Sequence, residues 1–219
     1  MFESVQIVGR GRVGSAIAAR LEERGVSVLE DGAELVLICV PDRAIAEVAR
    51  SIKPGPWIAH TSGVTPLSAL DPHERRFGLH PLQTFVRGGG GAQLDGSYGA
   101  VTAATDVGRA HGFALAEKLD LEPFALADEA RPLYHAGAAI ASNYLVTLHA
   151  VASELFEEAG APPEALVPLM RRTIENGFEL TGPIARGDWG TVDAHRRAIR
   201  RVRPDLERVY EVLAEATAR

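Results

Sequence analysis

A strand-like segment followed at once by a glycine signature constrains the fold of this chain more than any other feature. Ser4–Val8 has the composition of a strand, and residues 9–14 then read Gly-Arg-Gly-Arg-Val-Gly before an apolar helix start. In such a pattern Gly9 permits a tight turn, Gly11 lets the backbone approach a pyrophosphate, and Gly14 lets the helix pack closely on the strand. The spacing therefore predicts a dinucleotide-binding turn, with a glycine turn that binds nothing as the alternative.

The rest of the first half alternates strands with helices. Strands are predicted at residues 26–29, 34–40, 57–60, 77–80, 98–102 and 123–126, and helices at 15–24, 43–51 and 106–119. This alternation is typical of a mostly parallel sheet. From about Asp128 the pattern becomes helical, over 131–159, 163–180 and 189–217. We therefore predict an α/β, Rossmann-type domain over residues 1–127 and an all-α domain over residues 128–219.

The link between the second and third predicted strands, residues 30–33, is unusually short. A parallel crossover normally needs about a dozen residues, so either the connecting helix is missing or residues 26–29 are not a regular parallel strand. Glu30 lies where an acidic residue binds a ribose 2′-OH in NAD-specific sites, although it could equally be an exposed loop residue. Arg10 and Arg12 could instead contact a 2′-phosphate or the pyrophosphate. The choice between NAD and NADP stays open at this point.

Three polar residues interrupt a helix that is otherwise rich in small residues. At about 100° per residue, His135, Ser142 and Asn143 can lie on one side of that helix. A histidine, a serine and an asparagine on such a stripe suit a site that holds and protonates a carbonyl oxygen. The alternative for each is a satisfied buried polar group that braces a helix contact. These three residues are the catalytic candidates.

Two further segments suggest substrate contacts. His80–Phe85 follows the carboxyl end of a strand, where ligand sites form in open α/β sheets. Thr181–Asp188 places an arginine and a carboxylate in a turn between two helices. The arginine could hold a substrate carboxylate through two parallel hydrogen bonds, or could pair with the aspartate. The substrate-binding candidates are Gln83, Arg186, Asp188 and His195.

Composition limits the class of function. A net charge of −6 argues against a general nucleic-acid-binding role, and no apolar run is long enough to span a bilayer. Seven histidines show none of the spacings of zinc sites, so we predict no metal. The single cysteine, Cys39, fits a reducing compartment, and we expect a soluble, cytoplasmic protein. The glycines at 88–91 follow no clear strand and open no helix, which predicts a mobile loop without a role in phosphate binding.

The order of these motifs resembles that of a bacterial family that joins a Rossmann-like domain to a C-terminal helical domain of formerly unknown function. The resemblance covers nearly the whole chain, through the glycine turn, Val40–Asp42, His60–Gly63, His80–Phe85, Tyr134–Asn143 and Thr181–Asp188. The family is similar to ketopantoate reductase, pyrroline-5-carboxylate reductase and deazaflavin-dependent NADP reductase. The resemblance implies a helical domain of the 6-phosphogluconate-dehydrogenase C-terminal type that forms a homodimer.

The same resemblance implies a nicotinamide-dependent reductase of a small 2-oxo acid, with ketopantoate the favoured substrate and NADP, or NAD, the cofactor. The implied cofactor-binding residues are Gly9, Arg10, Gly11, Arg12, Val13, Gly14, Val40, Pro41, Ser62 and His80. His135 would donate the proton, Asn143 would orient the carbonyl oxygen and Arg186 would hold the carboxylate. Relatives carry a longer link after the second strand and a small residue in place of Arg10. The alternatives are therefore a non-catalytic nucleotide-binding or sensor protein and a deazaflavin-dependent NADP reductase.

Overall fold

The computed structural model describes residues 2–219, which form two compact units. The first unit ends at Ile140 and the second runs from Ala141 to Arg219. The predicted domain boundary, after residue 127, lies where the strands end. The first unit continues beyond it through one helix, Arg131–Ala139.

The first unit is built on a seven-stranded sheet in the order β2-β1-β3-β4-β5-β6-β7. The strands are β1 Ser4–Val8, β2 Ser27–Leu29, β3 Leu35–Ile38, β4 Trp57–His60, β5 Arg76–Leu82, β6 Tyr98–Thr102 and β7 Glu122–Ala125. Every neighbouring pair is parallel except β5 and β6, which are antiparallel. The prediction of a Rossmann-like, mostly parallel sheet is confirmed.

Helices cover the sheet because its central strands are apolar on both faces. All four residues of β3 are buried, as expected for a parallel strand with helices on either side. The helices of this part are α1 Arg12–Glu23, α2 Asp42–Ser51 and α3 Asp106–Lys118. Helix α1 buries Ala16, Ile17 and Leu21 in the core. Strands and helices alternate along the chain, so the loops that connect them lie at the two ends of the sheet.

The short link Glu30–Glu34 contains no helix, and strand register explains how it can be so short. Strand β2 pairs with one side of β1 and β3 with the other. Leu29 is level with Gln6 of β1, and Leu35 is level with Val5. The chain therefore has only to step across one strand, about 10 Å, which a few extended residues can span. Of the two alternatives, β2 is a regular parallel strand and the crossover helix is missing.

The helices after β7 are shorter than the sequence periodicity predicts. They are α4 Arg131–Ala139, α5 Leu145–Glu158, α6 Leu166–Glu175, α7 Trp189–Val202 and α8 Glu207–Thr217. A π-helical turn, Ile140–Tyr144, separates α4 from α5. The predicted helix over 189–217 is broken at Arg203, whose φ of −139° is not helical, because Pro204 disfavours a helical conformation in the residue before it.

The helices of the second unit bury little of their own apolar surface. No residue of α5 is buried, although the helix contains Leu145, Val146 and Leu148. Among residues 2–219, no helix combines the length and the apolar character that crossing a membrane would require.

Candidate functional site

The glycine turn between β1 and α1 has the geometry of a dinucleotide cradle. Gly9 has a φ of +103°, and a Cβ atom there would lie 2.7 Å from the carbonyl oxygen of Cys39. A Cβ atom at Gly14 would lie 2.0 Å from the carbonyl oxygen of Gly9. A Cβ atom at Gly11, by contrast, would meet no atom within 4 Å. Gly9 and Gly14 are therefore required by the fold, whereas Gly11 leaves open space where a ligand can approach.

A cavity of about 590 Å³ adjoins this turn. One wall is the start of α1, with Arg10, Gly11 and Arg12, and the opposite wall is the segment from Val86 to Gly90. Gly88, Gly89 and Gly90 line the same cavity as the dinucleotide turn. The sequence expectation that the run at 88–91 opens no helix is wrong, because Gly91 begins a short 3₁₀ helix, Gly91–Leu94.

Several candidate residues follow the carboxyl ends of the central strands. Val40 and Pro41 follow β3, and Pro41 is the N-cap of α2. Ser62 follows β4, and the hydroxyl oxygen of this buried residue accepts hydrogen bonds from the amides of Val64 and Thr65 while its proton goes to Thr65 Oγ1. The strand order changes direction at β1 and β3, and ligands bind at such a switch point in open α/β sheets.

His80 lies at the same edge and contacts two aromatic residues of α4. His60, the last residue of β4, is level with Gly78, so His80 lies two positions further along. Its Nδ1 atom is 2.8 Å from Tyr134 Oη, and its ring centroid is 6.0 Å from that of His135. The three side chains form a compact group, which we call the His80 cluster.

Gly63 is the floor against which the His80 cluster packs. A Cβ atom at this glycine would lie 2.5 Å from Cδ2 of His135 and 2.9 Å from Nε2 of His80. Any larger residue would displace at least one of the two rings. The Thr-Ser-Gly segment therefore ends in glycine because two imidazoles occupy the space that a side chain would need.

Burial controls the protonation of His80 and Tyr134. It lowers the pKa of His80 from 6.5 to about 4, and the positive charges of His135 and Arg131 act in the same direction. It also raises the pKa of Tyr134 to about 12. At neutral pH the His80 ring is therefore uncharged and the Tyr134 hydroxyl keeps its proton.

A buried arginine beneath the cluster was not among the sequence candidates. Arg131 is fully buried; its Nη1 donates to Thr102 Oγ1 at 2.8 Å and its Nη2 donates to the Ser62 carbonyl oxygen. The nearest carboxylate oxygen, on Asp128, is 4.0 Å from Nε. Arg131 thus ties α4 to the ends of β4 and β6 and places a positive charge under the cluster.

His60 completes this buried layer. Its side chain is inaccessible to solvent, and neither ring nitrogen has a hydrogen-bond partner among residues 2–219. Burial, together with the charges of Arg131 and His80, lowers its pKa from 6.5 to about 3. In the part of the chain that the structure describes, no group of three or more histidine, cysteine, aspartate or glutamate side chains could hold a metal ion.

Sequence reasoning could have found Tyr134 but not Arg131. Tyr134 directly precedes His135 in one of the motifs, and a tyrosine beside a histidine is a plausible partner in proton chemistry. Arg131 directly follows a polar stretch that contains Asp128 and Glu129, and an arginine is almost never fully buried. Its position depends on the sheet, which no local pattern reveals.

The candidates in the second unit have different surroundings. Arg186 is exposed and forms no ion pair within the described residues. Asp188 is the N-cap of α7: it accepts hydrogen bonds from the amide and the hydroxyl of Thr191, which lower its pKa. The Nδ1 atom of His195 is 2.8 Å from Tyr210 Oη on α8. The alternative of an Arg186–Asp188 salt bridge is thus not observed.

The remaining candidates lie on irregular backbone. Ser142 and Asn143 belong to the π-helical turn Ile140–Tyr144, so the regular spacing of 100° per residue that we assumed from His135 onward is interrupted. Gln83 donates from Nε2 to Ser97 Oγ at 2.8 Å and accepts from the amide of Thr84. Its amide group is therefore engaged in fixing the segment after β5.

Residues 97–217, more than half of the chain, match the family described as Domain of unknown function (DUF2520). The chain belongs to the DUF2520 family. The family description assigns no activity, and no curated protein sequence matches this chain.

Solved structures show that this DUF2520 protein shares its whole fold with other proteins. A proposed NADP oxidoreductase from Bacteroides fragilis is 22% identical with a TM-score of 0.82, over 98% of this chain and 97% of that one. Protein TM1727 from Thermotoga maritima is 24% identical with a TM-score of 0.74, over 98% and 100%. The reductive aminase from Aspergillus terreus, solved with NADPH and ethyl levulinate, is 14% identical with a TM-score of 0.70, over 97% and 92%. At these identities the likeness establishes a Rossmann-like fold with a helical C-terminal part.

Proposed function

We propose that this DUF2520 protein is a nicotinamide-dependent reductase of a small 2-oxo acid, with ketopantoate as the favoured substrate. The observation that carries the proposal is the His80 cluster, which lies at the carboxyl edge of the sheet whose first turn is a dinucleotide cradle. Hydride transfer to a carbonyl needs these two parts in one place: a cofactor site and a proton donor. The fold shared with NADP-dependent proteins supports the same conclusion.

The residues at the glycine turn fit NADP or NAD. Gly11 leaves room for a pyrophosphate, and the amides at the start of α1 near Val13 can donate to it. Arg10 and Arg12 supply positive charge beside them. Val40, Pro41 and Ser62, which follow β3 and β4, would flank the nicotinamide end together with His80, which lies two residues before the end of β5. When bound, the cofactor supplies the hydride.

The proton comes from His135 in this proposal. The ring is half-buried, and its Cδ2 edge shares the space above Gly63 with His80. Because burial keeps His80 neutral near pH 7, that ring places no second positive charge beside a protonated His135. Tyr134 fixes the orientation of His80 through Nδ1. The roles within the cluster therefore differ: His135 donates the proton, Tyr134 orients His80, and His80 packs as a neutral ring beside His135.

The substrate contacts are predictions from the second unit. Arg186 has a free guanidinium, which suits a carboxylate through two parallel hydrogen bonds. Asn143, with Ser142 beside it, would orient the carbonyl oxygen. Asp188 and His195 already have partners within their unit, so we expect them to position the Arg186 turn and α7. The protein would act on a small molecule.

The test is a fluorescence titration with NADPH and NADH, followed by turnover assays with 2-oxo acids beginning with ketopantoate. We expect His135→Gln to lower kcat by about 100-fold, the usual scale for a general acid, and to leave cofactor affinity unchanged. Arg186→Gln should raise KM for the 2-oxo acid by at least about tenfold, as expected for a lost charged hydrogen bond. His111→Gln, on α3 against Trp57, is the control and should retain activity.

Two results would contradict the proposal. Tight cofactor binding without turnover of any 2-oxo acid or imine would favour a non-catalytic sensor protein. An absence of binding for both nucleotides at millimolar concentration would show that the missing crossover helix has removed the cofactor site. The sensor and the deazaflavin-dependent alternatives would then be tested next.

A further inference from the structure

The segment between β5 and β6 forms a compact loop beside the glycine turn. Val86–Gln93, which we call the glycine loop, contains Arg87 and the glycines that line the 590 Å³ cavity opposite Arg10 and Arg12. The glycine loop is separate from the glycine turn, from the strands that carry the His80 cluster and from the short link after β2. None of the roles described so far accounts for its place beside the cavity.

The glycine loop is internally fastened. The Gln93 side chain accepts from the amide of Val86 at 2.7 Å and donates to the carbonyl oxygen of Gly90 at 3.3 Å. A Cβ atom at Gly89 would lie 2.2 Å from Gln93 Cδ, so the backbone passes directly over this amide. Gly88 and Gly90 both have positive φ angles. The glycines thus allow the backbone to turn tightly around the side chain of Gln93.

The loop is also anchored to α1. A Cβ atom at Gly91 would lie 3.0 Å from the backbone of Arg20, so only glycine allows this approach without adjustment. The Arg20 side chain is buried and pairs with Asp95, just beyond the loop, at 2.5 Å, and with Asp120. The two walls of the cavity are therefore held at a fixed separation.

The cavity carries an excess of positive charge in an acidic protein. Its lining includes the side chains of Arg10, Arg12 and Arg87 and no carboxylate, although the whole chain has a net charge of −6. All three arginines are exposed, and within residues 2–219 none is part of a salt bridge. Three unneutralised guanidinium groups around one cavity are suited to a phosphate group.

We propose that this cavity, beside the pyrophosphate at Gly11, also binds a phosphate monoester, the 2′-phosphate of NADP(H), and that Arg87 of the glycine loop makes the protein prefer NADP(H) to NAD(H). The inference rests on the proposed function, since it concerns the cofactor of that reductase. The residues after β2 that commonly read the ribose are reduced here to Glu30–Glu34. Arg87 of the glycine loop supplies positive charge that this link, with two glutamates and an aspartate, lacks.

The experiment is calorimetric titration of the full-length protein with NADPH and with NADH. The variants are Arg87→Gln and, as a matched control, Arg50→Gln, an exposed arginine at the end of α2. We expect the wild type to bind NADPH at least about tenfold more tightly than NADH. Arg87→Gln should remove about tenfold of the NADPH affinity, the scale of one charged hydrogen bond, and change the NADH affinity less than twofold. Arg50→Gln should leave both affinities unchanged.

The outcomes separate this inference from the proposed function. Equal affinities for NADPH and NADH in the wild type would overturn the inference and leave a working cofactor site. An equal loss of both affinities in Arg87→Gln would assign the arginine to the pyrophosphate and also overturn it. A selective loss of NADPH affinity, in a protein that reduces no 2-oxo acid, would sustain the inference while the reductase proposal fails.

Discussion

Strand β3 in the first unit and helix α5 in the second are both rich in apolar residues, yet their surroundings are opposite. All four residues of Leu35–Ile38 are buried, whereas none of the residues in Leu145–Glu158 is. In the first unit, helices on both faces of the sheet complete the core. In the second unit, exposed apolar side chains include Val146 on α5, Leu169 on α6 and Phe178 in the turn after α6. Large apolar side chains that are exposed together commonly mark an interaction surface.

This difference supports the prediction that the C-terminal helices form a homodimer, and one charge should break it. Val146, 71% exposed on α5, would be buried against a second copy. Replacing it by aspartate would place an unpaired charge in an apolar interface, at a cost of several kcal/mol. We expect light scattering after gel filtration to give twice the chain mass of 23.4 kDa for the wild type and the single chain mass for Val146→Asp.

The matched control is Val107→Asp on α3 of the first unit, where the valine is 60% exposed. It should leave the mass of the wild type unchanged. A wild-type protein that is monomeric at tens of micromolar would contradict the prediction. The apolar surface of the second unit would then require a different partner.

The second prediction concerns the sealed interior of the first unit. His60 is completely buried and its pKa is lowered from 6.5 to about 3. Between these values the unfolded chain binds a proton that the folded chain does not, so stability is retained above pH 6.5 and falls as the pH decreases. The loss is about 1.4 kcal/mol per pH unit, or about 2 kcal/mol between pH 6.5 and pH 5.

Urea unfolding measured across this range tests the effect. His60→Gln should lose most of this contribution to the slope of the free energy of unfolding against pH. The exposed His195→Gln should keep the slope of the wild type. An unchanged slope in His60→Gln would mean that solvent reaches the ring, and that the first unit is less completely sealed than its burial indicates.

The smallest predicted effect concerns the side-chain N-caps that begin one helix in each unit. Thr105 is the N-cap of α3, where its Oγ1 accepts from the amide of Gly108 at 3.1 Å, and Asp188 caps α7 in the same way. Thr105→Ala should lower the free energy of unfolding by about 1 kcal/mol, and Asp188→Ala should act in the same direction. Asp188→Asn should keep the stability of the wild type, because asparagine caps a helix as well as aspartate does. If Asp188 acts only as a cap, this variant should have a KM for the 2-oxo acid within about twofold of the wild-type value. A larger rise would assign it a substrate contact.

Much of the fold could be predicted because its signals are local. The glycine turn, the buried run of β3 and the alternation of strands and helices each arise from short-range periodicity and from glycine geometry. The short link after β2 was visible as an anomaly. Its explanation required the register of Leu29 and Leu35 against β1, because strand pairing is not encoded in any one segment.

The candidate site was less accessible to sequence reasoning. The His80 cluster joins residues far apart in the chain, and the burial of Arg131 and His60 depends on how α4 lies against the sheet. The sequence predicts no role in phosphate binding for the glycines at 88–91, because they follow no clear strand and open no helix. In the structure β5 extends to Leu82, beyond its predicted end at His80, and a short 3₁₀ helix begins at Gly91. The break at Arg203 follows from Pro204, a local signal that the helical periodicity of 189–217 masked. The π-helical turn at 140–144 lies within a stretch whose periodicity predicts one continuous helix.

The buried Arg20 has a consequence for the speed of ligand capture. Its ion pair with Asp95 joins α1 to the chain just after the glycine loop, so we expect the loop to lose little conformational entropy when a ligand binds in the cavity. We expect association to be limited by diffusion and electrostatic attraction. The association rate constant should fall as ionic strength rises, and no slow rearrangement of the loop should limit it. The cavity would therefore have the same conformation before and after the ligand binds.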